Sequence, residues 1–148
     1  MPDLFPSFSV PDYIESESEQ QNQIFPKSVS FDFKIGDFIR DGANRMVASS
    51  GYDAWVQWCI KIIRTQRYSC IAYSSDQGVE TDAALSSSQN KEAAEAQITS
   101  TVTDALMEDS RTKSVGYFDF EWGEDSVNMK CTVTASDGAT ANISIALQ

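Results

Sequence analysis

The side chains best suited to act together in catalysis are two pairs of adjacent carboxylates. Glu108 and Asp109 end a predicted helix, and Glu124 and Asp125 occupy a predicted turn. Two carboxyl groups that face each other across a cleft can hydrolyse a glycosidic bond. Adjacent acids at a helix end or in a turn are usually solvated, so we predict that the protein is not an enzyme. The alternative is a peptidoglycan-degrading glycosidase of the lysozyme type.

Other catalytic and metal-binding chemistry has little support in the sequence. Histidine is absent, which removes the commonest general base and metal ligand. Cys59, Cys70 and Cys131 are isolated and lack the spacing of metal ligands, which is typical of small buried side chains in a reducing compartment. Phosphate-binding, dinucleotide-binding and calcium-binding motifs are also absent. We therefore predict no catalytic residue, no cofactor and no metal.

The overall charge restricts the class of partner. The net charge is −11 and the calculated isoelectric point is about 4.2. Nucleic-acid phosphates and anionic membrane surfaces both attract clustered Lys and Arg, so neither is an expected partner. The sequence has neither a membrane-spanning apolar run nor the basic start of a signal peptide. Assembly in the cytoplasm is the resulting expectation.

One part of the chain has the opposite charge. Between Lys34 and Arg67 the basic residues outnumber the acidic ones, and Arg64 and Arg67 lie at the end of a predicted helix. An ordinary solvated helix face is one interpretation. A patch that contacts an acidic partner, with Arg64 and Arg67 in it, is the other.

Hydrophobic periodicity predicts an α+β domain over residues 28–148. Helices are expected from Ala54 to the Thr65–Tyr68 exit and from about Asn90 to Glu108. Strands with period-two alternation are expected near Val29–Ile35 and in three runs that close the chain. A short hairpin lies between, so we predict a small antiparallel sheet of four to five strands packed against two helices. The predicted core residues are Trp55, Trp58, Cys59, Ile62, Ile63, Ile98, Val102, Phe118, Phe120, Val133 and Ile145.

Residues 1–27 differ from the rest. They contain four prolines and a polar, acidic run, a composition that cannot bury enough apolar surface to fold alone. Phe5, Phe8 and Tyr13 nevertheless punctuate this stretch. We predict an extended N-terminal arm that becomes ordered on a partner through these aromatic residues, and a mobile tail is the alternative.

The order of these features resembles a known family. The Thr65-x-Arg67-Tyr68 exit and the Leu106-x-x-Asp109-x-Arg111 segment carry the resemblance, which spans about Ser28 to Leu147. The chain resembles the XkdS-like tail proteins of prophages and phage-tail-like bacteriocins (tailocins). More distantly it is similar to the T-even baseplate wedge protein that initiates the contractile sheath, whose wider grouping carries an inherited "lysozyme" label.

The resemblance implies a function and a set of contact residues. It implies a structural sheath initiator of a contractile tail, present in six copies in the virion or tail-like particle. This initiator joins other baseplate wedge subunits and the tail tube to the first sheath ring. A segment after the second helix contacts a neighbouring wedge subunit in that family, and the matching positions are Asp109, Ser110 and Arg111. A local ion pair of Arg111 with Glu108 or Asp109 is the alternative.

The last strand is the second predicted contact. Contractile sheaths are joined by extended arms that add a strand to a neighbour's sheet, and a terminal strand can offer an open edge. We therefore predict partner binding at Ala141–Leu147, represented by Ile143 and Ile145. An edge that is merely exposed is the alternative.

Overall fold

The computed structural model describes residues 26–147. Its α+β class confirms the prediction, with three helices and seven strands in this range. The helices are α1 (Gly51–Arg64), α2 (Thr81–Ser87) and α3 (Lys91–Met107). The strands are β1 (Ser28–Val29), β2 (Phe31–Asp32), β3 (Asp37–Phe38), β4 (Ala48–Ser49), β5 (Thr112–Trp122), β6 (Val127–Ala135) and β7 (Thr140–Leu147).

The three long strands form one antiparallel sheet in the order β5-β6-β7. Strict alternation along β6 and β7 places every second side chain on one face, and that face is buried. A bulge between Gly116 and Asp119 shifts the register of β5, and Tyr117 within it has a φ of 52°. Because of that extra residue, both Val115 and Phe118 contact the core.

Helices α1 and α3 cover the buried face of the sheet. Asn90 caps α3 by accepting a hydrogen bond from the Ala93 N–H at 2.7 Å, and Glu92 lies in its positively polarised first turn. The indole N–H of Trp55 in α1 donates to the Thr112 hydroxyl at 3.2 Å, which connects α1 with β5. The predicted core is confirmed, although Trp58, Phe118 and Phe120 are only partly buried at its margin.

The four short strands form a separate structure, which we call the N-terminal junction (residues 28–49). β1 pairs with β4, and β2 pairs with β3, so these strands do not extend the three-stranded sheet. Backbone hydrogen bonds of 2.8–2.9 Å run from Ser30 to Val47, from Val47 to Ile39 and from Ile39 back to Ser30. Three chain segments therefore meet in a closed triangle, which includes the predicted hairpin around Asp41–Asn44.

Helix α2 is an element that the sequence pattern did not indicate. Its sequence, Thr81–Ser87, has four polar residues of low helix propensity and only one large apolar side chain, Leu85. Tertiary packing stabilises this helix despite its low propensity, because Thr81 and Ala84 are buried and α2 lies against α3. None of the helices within residues 26–147 is long and apolar enough to cross a membrane.

Candidate partner-binding site

Strand β7 is an edge of the three-stranded sheet, and its hydrogen-bonding register fixes which groups face outward. The Ala135 N–H donates to the Ala139 carbonyl at 2.8 Å, and Val133 pairs with Ala141 farther along. Since neighbouring residues of an antiparallel strand alternate in direction, the odd-numbered residues of β7 bond to β6. The backbone groups of the even-numbered residues point away from the sheet, namely those of Thr140, Asn142, Ser144 and Ala146.

This register places the predicted contact residues Ile143 and Ile145 differently from the expectation. Both side chains are 3% exposed and belong to the core, and their backbone groups face β6. The alternate residues of the strand, Asn142, Ser144 and Ala146, are exposed. The surface that a partner can reach on β7 therefore consists of the even-numbered residues.

One end of the β7 edge is already closed by a side chain. The Tyr52 hydroxyl, from the first turn of α1, donates to the Thr140 carbonyl at 2.6 Å. An open cleft of about 390 Å³ lies beside this contact and is lined by residues that include Gln57, Ala141 and Asn142. A second cleft of about 420 Å³ lies at the other end of β7, where Arg64 and Leu147 contribute to its lining. Each end of the β7 edge therefore adjoins an open cleft, and the Tyr52 contact limits the edge at Thr140.

The segment Asp109–Arg111 holds an internal ion pair. Arg111 Nε lies 2.9 Å and 3.0 Å from the two carboxylate oxygens of Asp109, and Arg111 Nη2 also donates to that group. The Arg111 backbone N–H donates to the same carboxylate at 2.9 Å. The guanidinium carbon lies 5.4 Å from the ring centroid of Trp58. The local partner of Arg111 is therefore Asp109, and each side chain is only 14% exposed.

The electrostatics of this pair argue against an acid catalyst. Burial alone would raise the pKa of Asp109, but hydrogen bonds from the side chain and backbone of Arg111, together with its charge, outweigh burial and lower it. A general acid in a glycosidase needs the opposite shift. Ser110 is exposed between the two charged residues and borders a cleft with Asp76 and Glu108.

The two carboxylate pairs lie at opposite ends of β5. Glu108 and Asp109 precede the strand, and Glu124 and Asp125 follow it in the turn to β6. Because a strand rises roughly 3.4 Å per residue, the eleven residues of β5 separate the pairs by on the order of 30 Å. Glycosidase carboxyl groups act across roughly 5–10 Å. The two pairs therefore do not form one hydrolytic site.

Arg64 and Arg67 are both used within the chain. Arg64 Nη1 donates to the Phe33 carbonyl at 3.0 Å, and its guanidinium carbon lies 5.4 Å from the centroid of the Phe33 ring. Arg67 Nε donates to the Gly78 carbonyl at 3.2 Å, and its Nη1 lies 3.6 Å from Glu80. Arg64 therefore fixes the N-terminal junction to α1, and Arg67 closes the base of the loop between α1 and α2.

That loop depends on glycine at position 78. Gly78 has a φ of 97°, and a Cβ atom there would lie 2.5 Å from the Thr65 carbonyl oxygen. The closed base projects a loop on which three large apolar side chains are exposed, at Tyr68, Ile71 and Tyr73. This loop and the Asp109–Arg111 segment are far apart in the sequence. Both nevertheless border the cleft next to Ser110, the loop through Ser74 and Gln77 and the segment through Asp109.

The remaining predicted residues and groups are placed as follows. Phe5, Phe8 and Tyr13 lie outside the described residues. Burial raises the pKa of Cys59 to about 12 and that of Cys131 to about 11, whereas Cys70 is exposed. Residues 26–147 contain no group of three or more Cys, Asp or Glu side chains placed to hold a metal ion.

Sequence reasoning missed Tyr52 and Gln57. Tyr52 precedes the helix predicted from Ala54. Gln57 interrupts the apolar run of that helix, and its side-chain oxygen accepts from the Phe31 N–H at 3.1 Å. The polar Gln57 among apolar neighbours is a signal that could have indicated a backbone contact. The position of Tyr52 beside Thr140 depends on a separation of 88 residues, which no local pattern reveals.

Comparison with known proteins gives one family. A search of curated proteins finds no match. Residues 27–138 match the family described as contractile injection system sheath initiators, a range that includes the N-terminal junction, all three helices, β5 and β6. Since this match covers most of the chain, the protein belongs to the contractile injection system sheath initiator family.

Proposed function

We propose that this protein is a non-enzymatic baseplate subunit that joins the baseplate and tail tube of a contractile phage tail or tail-like particle to the first sheath ring. Its acceptor is the outward edge of β7. The observation that carries the proposal is the register of this strand, which directs the backbone groups of Asn142, Ser144 and Ala146 away from β6. An extended segment of a sheath subunit can add a fourth strand there.

The chemistry of such an addition is independent of most side chains. Three residues offer six backbone donors and acceptors, each contributing roughly 0.5–1.5 kcal/mol when paired in a strand. The Tyr52 hydroxyl donates to the Thr140 carbonyl, so the part of the β7 edge that can bind a strand ends there. The incoming strand gains affinity from main-chain bonds, and the two clefts beside β7 can accommodate the turns at its ends.

Other surfaces are proposed to contact the remaining partners. The exposed apolar loop and the Asp109–Ser110–Arg111 segment border one cleft and would bind a neighbouring wedge subunit. The arm of residues 1–27 would bind a neighbouring baseplate subunit through Phe5, Phe8 and Tyr13. We further propose six copies per particle, a folded domain over residues 28–148, and assembly in the host bacterial cytoplasm without nucleic-acid or membrane contact.

The glycosidase alternative is disfavoured by geometry. Its candidate carboxylates lie at opposite ends of β5, and the pKa of Asp109 is lowered where an acid catalyst needs it raised. We expect no peptidoglycan turnover by the purified protein. Turnover that disappears in Glu108→Gln or Glu124→Gln would contradict the non-enzymatic proposal.

A proline in β7 tests the strand-addition proposal. The Ser144 N–H faces outward, so Ser144→Pro removes a donor that a partner would use without breaking a bond to β6. We expect particles carrying this variant to assemble baseplates and tubes but to lack sheath in electron micrographs. Ser144→Ala is the matched control, since it retains the N–H and should assemble sheath normally.

The same test includes a check on folding. Ser144→Pro should unfold within about 1 kcal/mol of the parent protein, because proline is tolerated on edge strands. If it unfolds more easily than this, Ala146→Pro provides a second outward position with the same expected assembly defect. Normal sheath on particles with either folded variant would overturn the proposal.

A further inference from the structure

We propose that Tyr117 is a specificity-determining residue for the strand that is added to β7, and that its ring receives one large apolar side chain of the sheath segment. The inference rests on the proposed function of the β7 edge and deepens it. It states the chemistry of this side chain and the position at which its residue pairs, so it can fail while strand addition itself stands.

Tyr117 combines a strained backbone with a side chain that the domain does not bury. Its φ of 52° lies in the left-handed region, which a bulky residue rarely adopts. The side chain is 90% exposed, more than that of any other aromatic residue within residues 26–147. In the same part of the chain, no aromatic side chain stacks on its ring and no cation lies over it. Uncompensated strain of this kind is typical of binding residues.

The β-bulge directs the Tyr117 ring onto the outer face of the sheet. Between Gly116 and Asp119, the two residues Tyr117 and Phe118 oppose the single residue Cys131. Phe118 contacts the core, whereas Tyr117 is on the exposed side. Bulges re-aim side chains in this way and are frequent next to functional sites. The strained conformation therefore brings an aromatic ring over strands that lead to the β7 edge.

The ring borders a hollow of about 210 Å³, which extends across the outer face to Asn142 and Ser144 of β7. Small-molecule pockets usually exceed roughly 300 Å³, so this hollow is suited to a single side chain. Lys130 is the only charged residue among the described residues that line it, and its ammonium group is paired with Glu121. A charged side chain from a partner would find no free counter-charge there. The Tyr117 ring and the methylene groups of Lys130 instead favour an apolar one.

Access to the hollow from the β7 edge differs between its two bordering residues. The Asn142 side-chain oxygen accepts from the Thr132 hydroxyl at 2.8 Å, which holds the Asn142 side chain across the sheet face. Ser144 is small and exposed. Neighbouring strands lie roughly 4.8 Å apart, and directly opposed residues place their side chains on the same face. The added residue that pairs with Ser144 can therefore extend a large side chain over Ser144 towards Tyr117.

Site-specific photo-cross-linking in assembled particles tests the proposal. Tyr117 is replaced by p-benzoylphenylalanine, which bonds covalently to a contacting group on irradiation, and mass spectrometry locates the bond. We expect a cross-link to a large apolar residue in an extended segment of a sheath subunit. The same replacement at Tyr73, which is exposed on the loop between α1 and α2, is the control and should give no cross-link to sheath.

Substitutions of Tyr117 distinguish a binding role from a structural one. Tyr117→Gly removes the ring and relieves the backbone strain, so the melting temperature of the isolated protein should stay equal or rise. The fraction of particles with sheath should nevertheless fall by about tenfold, as expected for the loss of an aromatic contact at an interface. Tyr117→Phe retains the ring and is the matched control, which should assemble sheath normally.

Several results would overturn the role of Tyr117. They are normal sheath on Tyr117→Gly particles, a lower melting temperature of that variant, and a position-117 cross-link that is absent or joins another subunit or a charged residue. Ser144→Pro separates this failure from that of strand addition. If Ser144→Pro particles lack sheath while position 117 gives no sheath cross-link, strand addition stands and only the role of Tyr117 is wrong. Normal sheath on Ser144→Pro particles would overturn both.

Discussion

The N-terminal junction and the C-terminal sheet bury their apolar residues to very different degrees. Strands β6 and β7 alternate regularly and bury one complete face against α1 and α3. The junction consists of two-residue strands around Phe31, Phe33 and Phe38, whose rings meet edge to face, with most other side chains exposed. The sheet therefore supplies the stability of the domain, while the junction depends on contacts to α1.

Matched substitutions of isoleucine provide the largest contrast between the regions. Ile145 is 3% exposed in β7 and Ile35 is 80% exposed in the junction. Ile145→Ala should cost about 2–4 kcal/mol because it opens a cavity in the core. Ile35→Ala should change the free energy of unfolding by less than about 0.5 kcal/mol. Chemical denaturation measures both, and equal losses would refute the proposed division.

The Asp109–Arg111 pair should give an intermediate effect on the sheet side. Asp109→Asn leaves the Arg111 guanidinium poorly compensated at 14% exposure, so we expect a loss of about 1–3 kcal/mol near neutral pH. Since folding lowers the pKa of Asp109, the parent protein holds this advantage above the unfolded pKa of about 3.9.

The pH dependence tests the sign of this interaction. The stability difference between the parent protein and Asp109→Asn should be constant from neutral pH to about pH 5 and shrink as the pH falls below about 4. Thermal unfolding across this range measures it. A difference that grows on acidification would contradict the ion pair as the cause.

A smaller effect than that of Asp109→Asn should come from the connection between the two regions. Gln57 accepts from the Phe31 N–H at 3.1 Å and its amide also donates to Ser49. Gln57→Ala should cost about 1 kcal/mol and act locally. Hydrogen exchange should accelerate at residues 30–47 and remain unchanged in β6. Uniform acceleration in both regions would show that the junction and the sheet unfold as one unit.

The same contrast explains what the sequence could predict about the fold. Helix α3 and strands β6 and β7 are long enough for their periodicity to be visible, and they were predicted correctly. Only residues 118–122 of β5 were predicted, because the bulge between Gly116 and Asp119 breaks the alternation along that strand. The triangle of Ser30, Ile39 and Val47 joins three separate segments through backbone bonds, which side-chain patterns do not encode. Helix α2 is formed by packing at Thr81 and Ala84 against weak local propensity.

The contact residues were harder to predict than the elements. Period two placed Ile143 and Ile145 on one face of β7, and the prediction of Ile145 as a core residue was correct, so the prediction of a partner contact on that same face was wrong. The sequence left open whether Arg111 binds a partner or forms a local ion pair. In the structure the Asp109 carboxylate, two residues earlier in the chain, accepts hydrogen bonds from the backbone and side chain of Arg111. Predictions for Phe5, Phe8 and Tyr13 remain predictions, as these residues lie outside the described range.

The central claim is that β7 accepts a strand from the sheath. Electron cryomicroscopy of assembled particles tests it most directly, at the contact between the baseplate and the first sheath ring. We expect a fourth strand beside β7, hydrogen-bonded to Asn142, Ser144 and Ala146 and ending near Tyr52. A β7 edge without an added strand, or one covered by another baseplate subunit while sheath binds elsewhere, would contradict the account.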